Sequence, residues 1–250
     1  MKPAAFGTFL LGAVIGSFLN VVITRLPRKE SLLAPGSRCR ECGTAIRWCD
    51  NIPLLSFFRL RGRCRDCGSP IGWRYPAVEA ATGVAFALSV VRFGVTPELL
   101  SALLLLSALV AVTAIDLEHQ LIPDRITLPG IAAGFLTSLA MPRLVWIDSL
   151  LGIALGGGIF FLIILLSGGG MGGGDMKLAA MVGAFLGWKL ALVAFFLGVL
   201  LGGLMAVALL ASGRRGRKDP VPFGPFLAVG AVLSLFWGEG VLRWYLSGFR

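Results

Sequence analysis

Apolar runs of membrane-crossing length recur from one end of the chain to the other, and they constrain the fold more than any other feature. Ala4–Thr24, Leu99–Ile115 and Val145–Ser167 each approach the ~20 residues that carry a helix across a ~30 Å hydrocarbon core. Only 14% of the residues are charged, too few to give a soluble domain its polar surface. The expectation is an all-α, polytopic membrane bundle. Eight spans are predicted, at about 4–24, 76–92, 97–115, 126–141, 145–167, 177–189, 191–211 and 225–246. The first is read as a retained helix and not as a signal peptide. Only Lys2 precedes it as a charge, and basic residues follow it where a small-residue cleavage site would stand. The run Leu178–Ser212 would be roughly 50 Å long as one helix, more than a single crossing needs. Lys189 near its middle would be costly in hydrocarbon. Both points predict a hairpin with Lys189 at the turn.

Charge then sets the expected orientation. Seventeen of the 23 Lys and Arg residues fall in the segments 25–75, 116–125, 168–177 and 212–224, which this topology puts on one side. Basic residues mark the cytoplasmic face, so the large 25–75 loop is expected there, with both termini outside. The chain thus divides into a first membrane helix (1–24), a cytoplasmic loop (25–75) and a membrane-embedded remainder (76–250). The loop carries eleven basic residues against Glu30, Glu41, Asp50 and Asp66. Its surplus suits contact with anionic membrane lipids. It holds no recognisable nucleic-acid module, so no nucleic-acid partner is expected.

Four of the five cysteines stand as Cys39-x-x-Cys42 and Cys64-x-x-Cys67, each pair followed by glycine (Gly43, Gly68). Two such knuckles let four thiolates converge on one zinc at ~2.3 Å, and the 21 intervening residues are near the spacing of zinc ribbons. Two disulfides would use the same cysteines, but a reducing cytoplasm disfavours them. With all four positions taken by Cys the zinc would be structural, and it would supply much of the folding energy of so small a loop. Cys49 is left over as a packed thiol.

Two acidic residues stand at membrane level. Asp116 closes the third span, and Asp175 follows the glycine run Gly168-Gly169-Gly170-Met171-Gly172-Gly173-Gly174. The predicted topology puts both at the same boundary, where they can face each other. Two carboxyl groups so placed do not readily ionise together; one holds a proton while the other draws a proton from a water between them. That water can attack a peptide carbonyl that the protonated partner polarises, and the pair titrates as a unit. The glycines allow close backbone approach. The same spacing also fits a flexible connection whose Asp caps the next helix. Asp124 is expected to cap span four, and Glu118 and His119 to be interfacial. Lys177 is expected to snorkel to the interface, or else to tune Asp175.

With these residues in view, the chain resembles the bacterial prepilin peptidase family. The resemblance runs through Gly16-Ser17-Phe18-Leu19-Asn20, both cysteine pairs, Trp48-Cys49-Asp50-Asn51-Ile52-Pro53, and Arg61-Gly62-Arg63-Cys64. It continues through Arg74-Tyr75-Pro76-Ala77-Val78-Glu79, the Asp116–Asp124 segment, Gly172-Gly173-Gly174-Asp175-Met176-Lys177 and Pro222-Phe223-Gly224-Pro225-Phe226. It implies that Asp116 and Asp175 are the catalytic pair of an inner-membrane peptidase, and that 76–250 is its peptidase domain. The implied substrates are type IV prepilins or type II secretion pseudopilins, cut on the cytoplasmic side after a Gly and usually before Phe. It also implies methylation of the new N-terminus from S-adenosylmethionine, a half of the activity to which Gly62, Arg63 and Glu79 correspond as cofactor-binding positions. Arg40 stands where the family often has Pro, and Arg63 where Lys is common; Arg and Lys differ in what they can hold. Two other readings are an intramembrane aspartic protease without methylation and a metal-sensing transporter.

Overall fold

The computed structural model describes residues 2–142, 144–166, 172–212 and 222–248. Arg143, Gly168–Met171 of the glycine run, the basic residues Arg214, Arg215, Arg217 and Lys218, and Arg250 lie outside the described residues. The chain folds as two compact units, Met1–Val95 and Thr96–Arg250. Among the described residues the regular structure is helical, with only two isolated bridges, Arg38 to Ala45 and Arg63 to Pro70.

In the first unit, α1 (Lys2–Arg25) packs antiparallel on α3 (Arg74–Phe93), and the loop between them carries the short helix α2 (Leu55–Arg59). Small residues set the approach. A Cβ on Gly12 would stand 2.7 Å from the Thr82 carbonyl oxygen, and one on Gly16 would stand 2.7 Å from the Glu79 Cα. With no hydrophobic drive between helices in lipid, such close backbone contact is what holds them together. Polar links run along the seam as well: the Asn20 Nδ2 donates to the Tyr75 carbonyl at 3.0 Å, and Arg74 donates to the Thr24 hydroxyl at 2.9 Å.

The second unit contains α4 (Pro97–His119), α5 (Asp124–Ser138), α6 (Trp146–Leu166), α7 (Gly173–Ala211) and α8 (Gly224–Ser247). α7 is a hairpin. Gly183 and Ala179 meet Gly152 and Gly156 of α6, so the first arm of α7 runs antiparallel to α6. At Gly187 the backbone leaves the helical region (φ 72°, ψ 166°). Beyond it the Phe195 ring lies edge-on to Phe160 at 5.4 Å, farther along α6 than Gly156, so the chain has turned back. α8 then lies along this second arm, with Gly230 against the Ala194 carbonyl and the Ser234 hydroxyl donating to the Leu190 carbonyl at 2.6 Å. The predicted hairpin is present, and its non-helical residue is Gly187, two positions before Lys189, because only glycine adopts that backbone conformation without strain. The Trp188 indole pins the turn by donating to Asp148 at 2.9 Å.

Among the described residues, six helices are long and apolar enough to cross a membrane: α1 from Pro3 onward, α3, α4, α6, α7 and α8. Counting both arms of α7 and the 15-residue α5, the described residues hold eight helical segments, the number that the hydropathy pattern predicts. α5 and the first arm of α7 are each about 21–23 Å long at 1.5 Å per residue, short of the other spans. They are also the two segments that pack along each other, Gly130 on Met181 and Gly134 on Ala184.

A Cβ on Gly187 would stand 2.5 Å from the Leu144 Cδ1. Gly187→Val is therefore expected to destabilise the second unit by about 1–3 kcal/mol from backbone strain alone. A lowered Tm of the detergent-solubilised protein is the readout, with Gly203→Ala, a position with nothing within 4 Å, left unchanged as the control.

Candidate functional site

The ends of three helices meet at one end of the second unit. Asp116 lies in the last turn of α4, where Gln120 adopts the left-handed conformation (φ 50°, ψ 43°) and its N–H closes the helix on the Asp116 carbonyl. The side chain of Asp116 is buried, 5% exposed, and its Oδ2 accepts the Gly224 N–H at 3.0 Å, at the start of α8. A Cβ on Gly224 would stand 2.6 Å from that oxygen, so glycine is what lets the backbone donor reach the carboxylate. Asp175 sits in the first turn of α7, with its N–H on the Gly172 carbonyl at 3.1 Å. It is close enough to Asp116 for the two carboxyl groups to interact electrostatically. Its Oδ1 is buried and has no hydrogen-bond partner among the described residues.

Ile122 is the spacer of this cluster. It lies within 2.8 Å of where a Cβ on Gly174 would be and within 3.4 Å of where one on Gly224 would be. The α4–α5 connection is thereby wedged between the glycines that flank the two aspartates. Lys177 fastens the same connection from outside by donating to both carboxylate oxygens of Asp124 at 2.7 Å. One expectation is corrected here. Asp124 begins α5 without capping it: the N-cap is Pro123, and no side chain there makes a cap hydrogen bond. Lys177, expected to snorkel or else to tune Asp175, pairs with Asp124 across helices. Glu118 and His119 are exposed beyond the cluster. Sequence reasoning missed Ile122 and Gly224, although Gly224 lies in a quoted motif, because neither carries reactive chemistry.

The four paired cysteines of the first unit also converge. Their sulfurs all lie within 4.8 Å of one another, with Cys39 and Cys67 at 3.7 Å. Four sulfurs about 2.3 Å from a central zinc would stand about 3.8 Å apart, so the set fits a tetrahedral metal. The two knuckles are one motif repeated after 25 residues, Arg-Cys-Arg-Glu-Cys-Gly-Thr from Arg38 and Arg-Cys-Arg-Asp-Cys-Gly-Ser from Arg63. Their hydrogen bonds repeat too: Gly43 N–H to Cys39 C=O and Gly68 N–H to Cys64 C=O, then Cys39 N–H to Thr44 C=O and Cys64 N–H to Ser69 C=O. Gly43 and Gly68 have φ 71° and 70°, the left-handed turn that the spacing requires. Donors from the Cys42 backbone and the Ser69 hydroxyl bring the Cys39 thiol down to about 6, which favours the thiolate that a metal needs. Beside the knuckles, the Arg65 and Arg59 guanidinium groups hold the Asp50 carboxyl far below the usual carboxylate range, at 2.6 Å from each. This ties the Trp48–Asp50 turn to the second knuckle. Cys49 is free and half-buried. The repeat is legible in the sequence alone.

Of the positions matched to methylation, Glu79 is buried on α3, whereas Gly62 (φ 66°) and Arg63 open the second knuckle, Arg63 with an exposed side chain. Glu79 and Gly62 meet the same short helix at opposite ends. The Glu79 Oε2 accepts the Leu54 N–H at its start, and the Gly62 N–H donates to the Phe57 carbonyl within it.

Comparison with known proteins supplies the class. A family model described as the bacterial peptidase A24 N-terminal domain matches residues 10–93, and one described as the type IV leader peptidase family matches residues 103–207. A protein of Bacillus subtilis (strain 168) named prepilin leader peptidase/N-methyltransferase is 38% identical over 242 residues, covering 96% of this chain and 96% of that one. Proteins of the same name from Aeromonas hydrophila and Pseudomonas aeruginosa are 38% and 36% identical, over 96% and 99% of this chain and 93% and 97% of their own. The chain belongs to the type IV leader peptidase family. No solved structure matches it.

The repeat makes the two cysteine pairs equivalent. Cys39→Ser and Cys64→Ser are each expected to abolish stoichiometric metal in the purified protein and to open the 25–75 loop to protease. Elemental analysis with limited proteolysis checks this, and full metal content in either variant would exclude a four-thiolate site.

Proposed function

We propose that this chain is a membrane aspartic endopeptidase that removes the leader of type IV prepilins or pseudopilins and then N-methylates the new N-terminus. Family membership supports the substrate class and both activities, since the relatives are named prepilin leader peptidase/N-methyltransferase. One observation carries the mechanism: Asp175, beside Asp116, keeps a buried carboxylate oxygen with no partner among the described residues. Buried polar atoms are nearly always satisfied, and exceptions mark places where something else is bound or transformed.

In this reading the two aspartates share one proton. The ionised member takes a proton from a water held between them, and the water oxygen attacks the scissile carbonyl while the protonated member donates to the carbonyl oxygen. Collapse of the tetrahedral intermediate returns a proton to the leaving nitrogen, giving a carboxylic acid and a free amine. The Gly224 N–H fixes one oxygen of Asp116, which holds that carboxyl in one orientation. The glycines before Asp175 carry no side chains that would obstruct an extended peptide. A substrate whose apolar helix lies in the same membrane presents its scissile bond at the end of that helix, which matches aspartates at helix ends. We place the pair and the 25–75 loop on the cytoplasmic side of the bacterial inner membrane, on the grounds of the basic-residue bias.

The methylation half is assigned to the 25–75 loop, with Gly62 and Arg63 in it and Glu79 acting on it from α3. S-adenosylmethionine would supply the methyl group, and the free amine left by cleavage would receive it with loss of a proton. The four cysteines would hold a structural zinc, since no ligand position stays open for water. The loop's basic surplus would lie against anionic lipid. No nucleic acid enters this scheme.

Asp116→Asn and Asp175→Asn are each expected to lower leader cleavage by at least about 100-fold, the scale of a lost general acid or base, while membrane insertion and bound metal persist. Mass analysis of the N-terminus of a co-incubated prepilin reads out both steps, with cleavage as loss of the leader and methylation as gain of one CH₂. Robust processing by either variant would exclude the aspartate mechanism.

A further inference from the structure

Glu79 is a carboxylate nine-tenths buried on a membrane helix, and the hydrogen bond it accepts comes from backbone. Its Oε2 accepts the Leu54 N–H at 2.8 Å, and Ser17 of α1 lies beside the same carboxylate. Burying a carboxylate is costly, so the residue it holds is informative. Leu54 has φ 62° and ψ −51°, a region that a leucine rarely occupies. Leu54 is also the N-cap of α2. From there the structure is continuous. The Ser56 hydroxyl accepts the Ile52 N–H at 2.9 Å and donates to the Cys49 carbonyl at 3.2 Å. The Phe57 carbonyl receives the Gly62 N–H at 2.8 Å, and the Phe57 ring would be 3.2 Å from a Cβ on Gly62. The same ring lies tilted by 57° against Trp73, the residue before α3, with centroids 4.8 Å apart. Arg63 and the second knuckle follow directly.

We propose that Glu79 is a positioning residue for methylation and does not touch the methyl donor. It holds Leu54 in its left-handed conformation, so that α2 is fixed against α3 and Gly62 and Arg63 stand where the donor is used. The proposal rests on the reading that this chain methylates the amine it exposes. Because the Leu54 N–H is a donor, a glutamine can serve in place of the carboxylate, its amide oxygen accepting from Leu54. Alanine cannot.

The test compares Glu79→Gln and Glu79→Ala in the intact detergent-solubilised protein, with a prepilin and S-adenosylmethionine, and scores cleavage, methylation and tryptic cutting after Arg59 and Arg61 in parallel. Glu79→Ala is expected to lower methylation about tenfold or more, the scale of leaving a buried donor unpaired, with cleavage retained and the two arginine sites opened to trypsin. Glu79→Gln is expected to methylate near the wild-type rate with both sites protected. Glu79→Gln failing as badly as Glu79→Ala while both sites stay protected would overturn the proposal, because the negative charge would then act directly on the donor. Wild-type methylation by Glu79→Ala would overturn it as well. If the unmodified protein cleaves without methylating, the methylation reading fails by itself. The tryptic comparison still decides the strut: opening in Glu79→Ala alone supports it, and equal protection in both variants overturns it.

Discussion

Close contact between glycine backbones organises the second unit. Apolar side chains gain little by leaving lipid for one another, so helices in hydrocarbon are held by packing and by hydrogen bonds, and both need near approach. Gly152 against Gly183 and Gly156 against Ala179 fix α6 on the first arm of α7; Gly230 against Ala194 fixes α8 on the second. A larger residue at any of these points would push helices apart and move their ends. Those ends carry the site: Asp175 opens the first arm, Gly224 opens α8, and Asp116 closes α4. The separation of the two carboxyl groups is thus set several turns away from them, by residues that have no chemistry of their own.

The loop of the first unit solves a different problem. It has too few apolar residues to fold on a core, and several of the large ones it has are exposed, Trp48 and Trp73 among them. Convergent thiols, the Asp50 pairs with Arg59 and Arg65, and the Glu79 carboxylate take the place of a core. Each joins segments distant in sequence: Cys39 with Cys67, Asp50 with Arg65, Leu54 with Glu79. Separating the thiols would release one of the three and leave the other two. The basic character of the loop follows from this economy, since its arginines both neutralise Asp50 and bond to neutral acceptors such as the Thr24 hydroxyl.

Much of this was legible in the chain. The eight segments follow from hydropathy and length, the α7 hairpin from a run too long to cross once, and the metal set from two Cys-x-x-Cys pairs with glycine after each. The hairpin expectation erred in detail because it used the cost of burying Lys189, whereas the backbone geometry selects the glycine two residues earlier. Asp124, following Ile122-Pro123 at the start of a span, has the position expected of a cap. The structure gives its carboxylate a lysine from another helix, a partner no local pattern could indicate.

By itself, then, the sequence determined which segments enter the membrane, that four thiols can share one ion, and that two acidic residues stand at span ends. Those properties depend on composition and on spacing along one segment, which are local quantities. Tertiary structure alone decided that the Gly224 N–H meets Asp116, that Ile122 wedges between two glycines, and that Glu79 reaches Leu54. Each joins residues on different elements over a few ångströms. Such distances depend on how whole helices cross, and crossing is decided by the sum of many backbone contacts, not by the residues that meet at the end.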